Sequence, residues 1–242
     1  MQISDYRSRA RIMLSGRWGL AILATVIAGL LGAVSFGSSI NLNLDAEDLR
    51  VLPAHIRSVV THVVLILAGI GGLLGTVEFI LGGVIRLGFC RFWLKMHDEE
   101  KPEINDLFSR FDRFSDGFLL SLLTKLYTLL WSLLFIIPGV IAGYSYAMAP
   151  YIMEENPNMK PREALQASKA MMNGHKMELF LLNLSFIGWI LLCVLTLGIG
   201  DFWLIPYQEA SHAAFYRNLS PKAASQTEGP VSQWTREPGM EP

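Results

Sequence analysis

The chain has 242 residues, 52% of them hydrophobic and 17% charged, where average chains run at about 45–50% apolar and about 25% charged. Its formal net charge of −1 leaves no basic domain to neutralise phosphates, so a nucleic-acid partner finds no support. Cys90 and Cys193 are its two cysteines, too few for a disulfide framework and best read as small hydrophobes.

The decisive feature is where the charges are missing. No Asp, Glu, Lys or Arg occurs from Trp18 to Leu44, from Ser58 to Val77, from Leu126 to Met153 or from Leu179 to Gly200. Runs of this length can cross a hydrocarbon core of about 30 Å at about 1.5 Å per residue. They also lack the polar face that a soluble surface helix needs. The expected fold is an all-α multi-pass transmembrane bundle of about six spans, with two hairpins turned by Pro or Gly and amphipathic interfacial helices beside them.

In chain order, Met1 to Arg17 carries Arg7, Arg9, Arg11 and Arg17, with Ile3, Tyr6, Ala10, Met13 and Leu14 at helical spacing. It reads as a surface-lying segment leading into a signal-anchor, not a cleaved leader. The first span runs from about Trp18 to Ile40, and a polar loop with Pro53 follows. The second, about Val59 to Ile85, is glycine-rich, and Gly71 and Gly75 form a small-residue pair. Such pairs let helix backbones approach closely in lipid, within the bundle or between two copies.

From Arg86 to Asp116 the chain carries charge of both signs, and Ile104, Leu107, Phe108, Phe111 and Phe114 form an apolar stripe behind Pro102. That stripe fits a short helix, either interfacial or packed on its neighbours. The third span, Gly117 to Ile137, turns at Pro138-Gly139 into the limb Val140 to Met153, where Gly139, Gly143 and Ala147 make a small-residue face. At 14 residues this limb either crosses a thinned bilayer or re-enters.

Beyond Pro161, Arg162, Lys169 and Lys176 recur every seven residues beside an apolar line of Leu165, Met172 and Leu179. A helix so built lies on an anionic cytoplasmic leaflet or caps the bundle. The final hairpin breaks at Gly198 and Gly200 and returns from Phe202 to Tyr216. Residues 1–216 form one integral membrane domain, and 217–242 a polar tail expected to be disordered. With six spans, one side collects seventeen of the twenty Lys and Arg residues and the other only Arg50 and Arg57. Both termini are then cytoplasmic.

Three passages carry a resemblance: RARIMLSGRW, LWSLLFIIPGVIAGYSYAMAPYIMEENP, and the run from REALQASKAMMNGHKM through SFIGW to IPYQEASHAAFY. They resemble the bacterial integral membrane family catalogued as domain of unknown function 975, over nearly the whole chain to Tyr216. The wider group is similar to the membrane portion of some glycerophosphodiester phosphodiesterases, whose catalytic domain is separate. The resemblance implies a location and an architecture, and supplies no catalytic residues.

Two charges lie within apolar segments. Glu78 and Lys125 each sit about 12 Å from the cytoplasmic edge of their helices, and a charge at such depth needs a partner or water. An intramembrane ion pair between them is therefore expected, against the alternative that Lys125 snorkels and Glu78 meets a headgroup or a proton. Asp201 reads as a turn residue. His175 and Glu178 face one another at helical spacing, but a closed metal site needs three or four ligands. No catalytic motif, metal motif or cofactor fingerprint stands out. The expected role is non-catalytic, exercised through membrane lipids, a membrane protein partner or a homodimer. A small carrier with a site near the broken helices is the alternative, and an intramembrane lipid-modifying enzyme the third.

Overall fold

The structure, a computed structural model, describes residues 3–34, 53–196 and 198–220. Among these, ten α-helices and two 3-10 turns are present and no strand. In order the helices are α1 (Ile3–Leu14), α2 (Trp18–Leu30), α3 (Ala54–His97), α4 (Phe114–Leu134), α5 (Ile136–Tyr146), α6 (Ala149–Glu155), α7 (Pro161–Met171), α8 (Lys176–Leu184), α9 (Ile187–Leu195) and α10 (Asp201–Leu219). The turns, Ile104–Phe108 and Phe111–Arg113, stand between α3 and α4.

Four stretches are long and apolar enough to cross a membrane: Gly71–His97, Ile104–Leu134, Ile136–Glu155 and Lys176–Leu195. Up to five qualify if α1 and α2, bent by 101° to one another, count as one span. That bend suits the surface-lying segment expected at the N-terminus. The polar loop before α3, the end of the first span and the tail beyond Ser220 lie largely outside the described residues.

The 44-residue α3 is about 66 Å long at 1.5 Å per residue, twice the hydrocarbon thickness. Its two halves differ in surroundings. Val59, Leu65, Ile66 and Leu73 are exposed, whereas Ile85, Leu87, Phe89, Phe92 and Trp93 are wholly buried. The helix continues beyond Arg86, where a charged loop was expected, because its apolar residues meet the bundle while Arg86, Arg91 and Lys95 meet acids.

Glycine decides how closely α4 approaches. A Cβ on Gly83 would overlap the Gly117 carbonyl, and one on Gly88 the Leu107 carbonyl. Gly139 lies equally tight against Ser132, closing the α4–α5 hairpin. Gly143 barely touches Thr128, and Gly71 and Gly75 face open space within the chain. Among the described residues nothing packs against that pair. The glycines that join helices, Gly83 and Gly88, lie about two to four turns further along α3.

Two other expectations are corrected. The stripe behind Pro102 forms the two 3-10 turns, not an α-helix, with Leu107 buried and Phe108 and Phe111 exposed. Glu103 and Asp106 fix its start through a reciprocal cap. The basic segment beyond Pro161 splits into α7 and α8 at Gly174, whose φ of 87° belongs to the left-handed region. Its apolar line, Leu165, Met172 and Leu179, is buried in the protein, so the segment caps the bundle.

The packed molecule has two unlike ends. One is ringed by ion pairs. The other exposes Leu133, Phe135, Ile136 and Ile137 at the α4–α5 hairpin, and Leu191, Leu195 and Ile199 at the α9–α10 hairpin. Exposed apolar residues in such number call for lipid or a partner. Replacing Gly83 by Ala should destabilise the detergent-purified protein by about 1–3 kcal/mol through overpacking. Gly71→Ala should be neutral or stabilising by up to about 1 kcal/mol. Thermal unfolding of the two variants side by side measures this, and equal effects would contradict the packing described.

Candidate functional site

Among the charges carried into the bundle, Arg86 of α3 meets Glu209 of α10. Arg86 Nη1 donates to Glu209 Oε1 at 2.8 Å, and the Tyr151 hydroxyl donates to Glu209 Oε2 at 3.4 Å. The guanidinium also lies 5.8 Å from the Phe89 ring centroid, a distance at which a cation is attracted to the ring face. One turn beyond Glu209, His212 Nε2 lies 2.7 Å from Asn183 Oδ1 of α8. Asn183 Nδ2 in turn donates to the Tyr144 hydroxyl at 3.3 Å. With the amide so oriented, the imidazole carries its proton on Nε2.

These groups share one cavity of about 480 Å³. Arg86, Glu209 and Tyr151 line its inner wall with His212 and Asn183, and Thr128, Ser132 and Tyr144 add hydroxyls. Val140 and Leu179 give it aliphatic surface. A second cavity of about 270 Å³ is lined by Glu78, Lys125, Ser121 and Thr124 together with glycines of α3 and α4. Arg86 lines both cavities.

Distances along the helices set the depth of this site. The ion-paired end holds Arg217, which bridges Asp98 and Glu155. It also holds Arg110, whose two nitrogens grip Glu154, and Arg91 and Lys95, which share Asp106. Glu209 precedes Arg217 by eight residues and Arg86 precedes Asp98 by twelve. The cavity pair therefore lies about 12–18 Å inward from the charged end. Arg217 is buried in the last turn of α10.

Sequence reasoning placed Glu78 and Lys125 together, and they do line one cavity. No ion pair joins them among the described residues, and Arg86, which lines the same cavity, pairs with Glu209. Of the basic line, Arg162 and Lys169 are exposed and Lys176 is half-buried. Lys169 and Lys176 flank a surface hollow of about 370 Å³ with Gln166 and Asn173. His175 and Glu178 do meet, at 3.2 Å. Among the described residues no group of three His, Cys, Asp or Glu side chains could hold a metal ion.

Sequence reasoning missed Arg86, Glu209, His212 and Asn183 as a unit. A signal was present, since Glu209 and His212 are three apart on one face of an otherwise apolar returning limb. What hid it was the assignment of Arg86 to a loop.

The profile described as "Protein of unknown function (DUF975)" matches residues 1–142 and 133–223. The chain belongs to this family. No curated protein and no solved structure matches it. Family membership thus adds no ligand and no reaction, and the geometry has to carry the functional reading.

At the charged end, burial by itself would raise the Asp98 carboxyl. Hydrogen bonds from His97 and Arg217, with the guanidinium charge, outweigh it and hold the group below its ordinary value. A carboxylate so depressed stabilises the fold above its unfolded pKa, near 3.8. That contribution is lost as pH falls from there through the lowered folded value. Asp98→Asn should therefore lower stability at neutral pH and flatten its fall below about pH 4, as read from unfolding midpoints across pH. An unchanged acid slope would show that the Arg217 cluster does not hold this end.

Proposed function

We propose that this protein is a non-catalytic, multi-pass protein of the bacterial cytoplasmic membrane that acts through membrane lipids. Six spans with both termini in the cytoplasm fit the distribution of Lys and Arg. In this reading α10 is the sixth span, and its polar groups are tolerable in lipid because Glu209 and His212 are satisfied by Arg86 and Asn183 inside the bundle. The anionic cytoplasmic leaflet would meet Arg162 and Lys169 on the outer side of α7. A second copy or a membrane protein partner would find the exposed length of α3. The resemblance of the sequence to the membrane portion of some glycerophosphodiester phosphodiesterases fits the same setting.

The observation that carries the lipid reading is the cavity between α5, α8 and α10, polar within and flanked by exposed apolar helix surface. Ligand sites in helical bundles have this form, largely apolar with a few convergent polar groups. A specific observation also favours a carrier. Arg86 separates two cavities, as a residue between alternating compartments would.

Extraction into native-lipid nanodiscs followed by native mass spectrometry tests the reading. The expected result is a lipid that survives gentle activation at about one copy per chain. A stoichiometric protein partner with no retained lipid would overturn it. Uptake of a solute into proteoliposomes above empty vesicles would favour the carrier.

A further inference from the structure

We propose that the cavity closed by Arg86 and Glu209 receives a zwitterionic group, a phosphate or carboxylate joined by a short linker to an ammonium. The proposal rests on the lipid reading above and names the chemistry that its site selects.

The argument begins with unused hydrogen-bonding capacity. A guanidinium has five N–H donors in a fixed fork, and among the described residues Glu209 is the sole hydrogen-bond acceptor for Arg86. The remaining donors belong to a side chain that lines both cavities. The side chain is 24% exposed, so these donors open onto cavity space where a ligand oxygen can take them. The ligand group that best matches a guanidinium fork is the paired oxygens of a phosphate or carboxylate.

Glu209 makes the complementary demand. Its two oxygens accept one bond from Arg86 and one from Tyr151, while an ionised carboxylate offers about four lone-pair sites. It can therefore accept further bonds from an ammonium. The charges lining the cavity are this one cation and this one anion. A purely anionic ligand would have to lie against the Glu209 carboxylate, and a purely cationic one against Arg86. A ligand carrying both charges a few ångströms apart opposes neither.

The neutral groups agree with that assignment. The Tyr144 hydroxyl accepts from Asn183 and keeps its own proton to donate. Thr128 and Ser132 supply two more hydroxyls on the α4 side. Val140, Ala147 and Leu179 line the same cavity and would take the aliphatic part of an amphiphile. At about 480 Å³ the space lies within the range of small-molecule sites. The shared chemistry is that of a phosphoethanolamine group, presented either by a diacyl lipid or by a free soluble zwitterion.

The test uses the delipidated full-length protein in detergent with three probes: phosphatidylethanolamine, phosphatidylglycerol and water-soluble glycerophosphoethanolamine. Retention by native mass spectrometry and the thermal shift are both read. Phosphatidylethanolamine should be retained over phosphatidylglycerol by about tenfold or more, the scale of one charge-assisted hydrogen bond. Glu209→Gln should abolish that preference. If this variant fails to fold, Tyr144→Phe and Asn183→Leu, which leave the ion pair in place, should each weaken retention of phosphatidylethanolamine. A shift with glycerophosphoethanolamine alone supports the site and assigns it to a soluble zwitterion, whereas a shift that needs the diacyl form assigns it to lipid. Both lipids retained equally by the wild type would overturn this inference and leave the lipid reading standing. No lipid retained and no shift with any probe would overturn both.

Discussion

A guanidinium carried more than ten ångströms into an apolar bundle keeps its charge, and is costly there without a carboxylate and a supply of acceptors. Arg86 meets that constraint through Glu209, and the consequences reach most of the structure. The contact obliges α10 to return along α3. Tyr151 of α6 is held at the same carboxylate, so the second limb of the first hairpin joins the second hairpin there. Removing one partner of such a pair costs about 3–5 kcal/mol, because the other charge is left buried and alone. The pair is better understood as fixing which helices meet than as adding net stability.

Around this centre the molecule sorts its polar groups by depth. The outermost layer is dense in ion pairs between Arg or Lys and Asp or Glu, two of them two-pronged, Arg110 with Glu154 and Arg217 with Asp98. The inner layer has one ion pair, with amide, imidazole and hydroxyl groups linked in a chain. Beyond it the side chains are aliphatic and exposed. The gradient matches what a bilayer asks of a protein that meets the headgroups at one end and hydrocarbon over the rest. The half-exposed Trp131, Trp189 and Trp203 belong to this outer surface, whereas Trp93 is the large aromatic of the interior. Among the described residues its Nε1 has no hydrogen-bond partner, and its contribution is packing against Phe89 and Phe92.

The helical class and the two hairpins were legible because uncharged length is a strong and local signal. The turn expected at Pro138-Gly139 falls a few residues earlier, at Phe135, and Pro138 and Gly139 begin α5 instead, where Gly139 packs against Ser132. The failures share a cause, which is that a charge reads as a loop unless its partner is known. Arg86, Arg91 and Lys95 ended the second span on paper, yet α3 continues through all three, because Glu209, Asp106 and Glu154 reach them from 11 to 123 positions away. The small-residue pair at Gly71 and Gly75 is a second example. Its spacing is right for close packing, but Gly83 and Gly117 hold that role, and an isolated glycine pattern does not say which turn of a 44-residue helix meets a neighbour. The basic line of Arg162, Lys169 and Lys176 was legible as a periodicity, but the break at Gly174 and the inward burial of Leu165 and Met172 depend on tertiary contacts.

The central claim is that the apolar end lies in hydrocarbon while the ion-paired end meets water at one face. Spin labels at Leu129 on α4 and at Arg162 on α7, in separate single-label proteins reconstituted into vesicles, test it through collisions with oxygen and with a water-soluble nickel chelate. The account predicts a Leu129 label that collides with oxygen and is shielded from nickel, and the reverse at Arg162. Equal nickel accessibility at the two positions would contradict it.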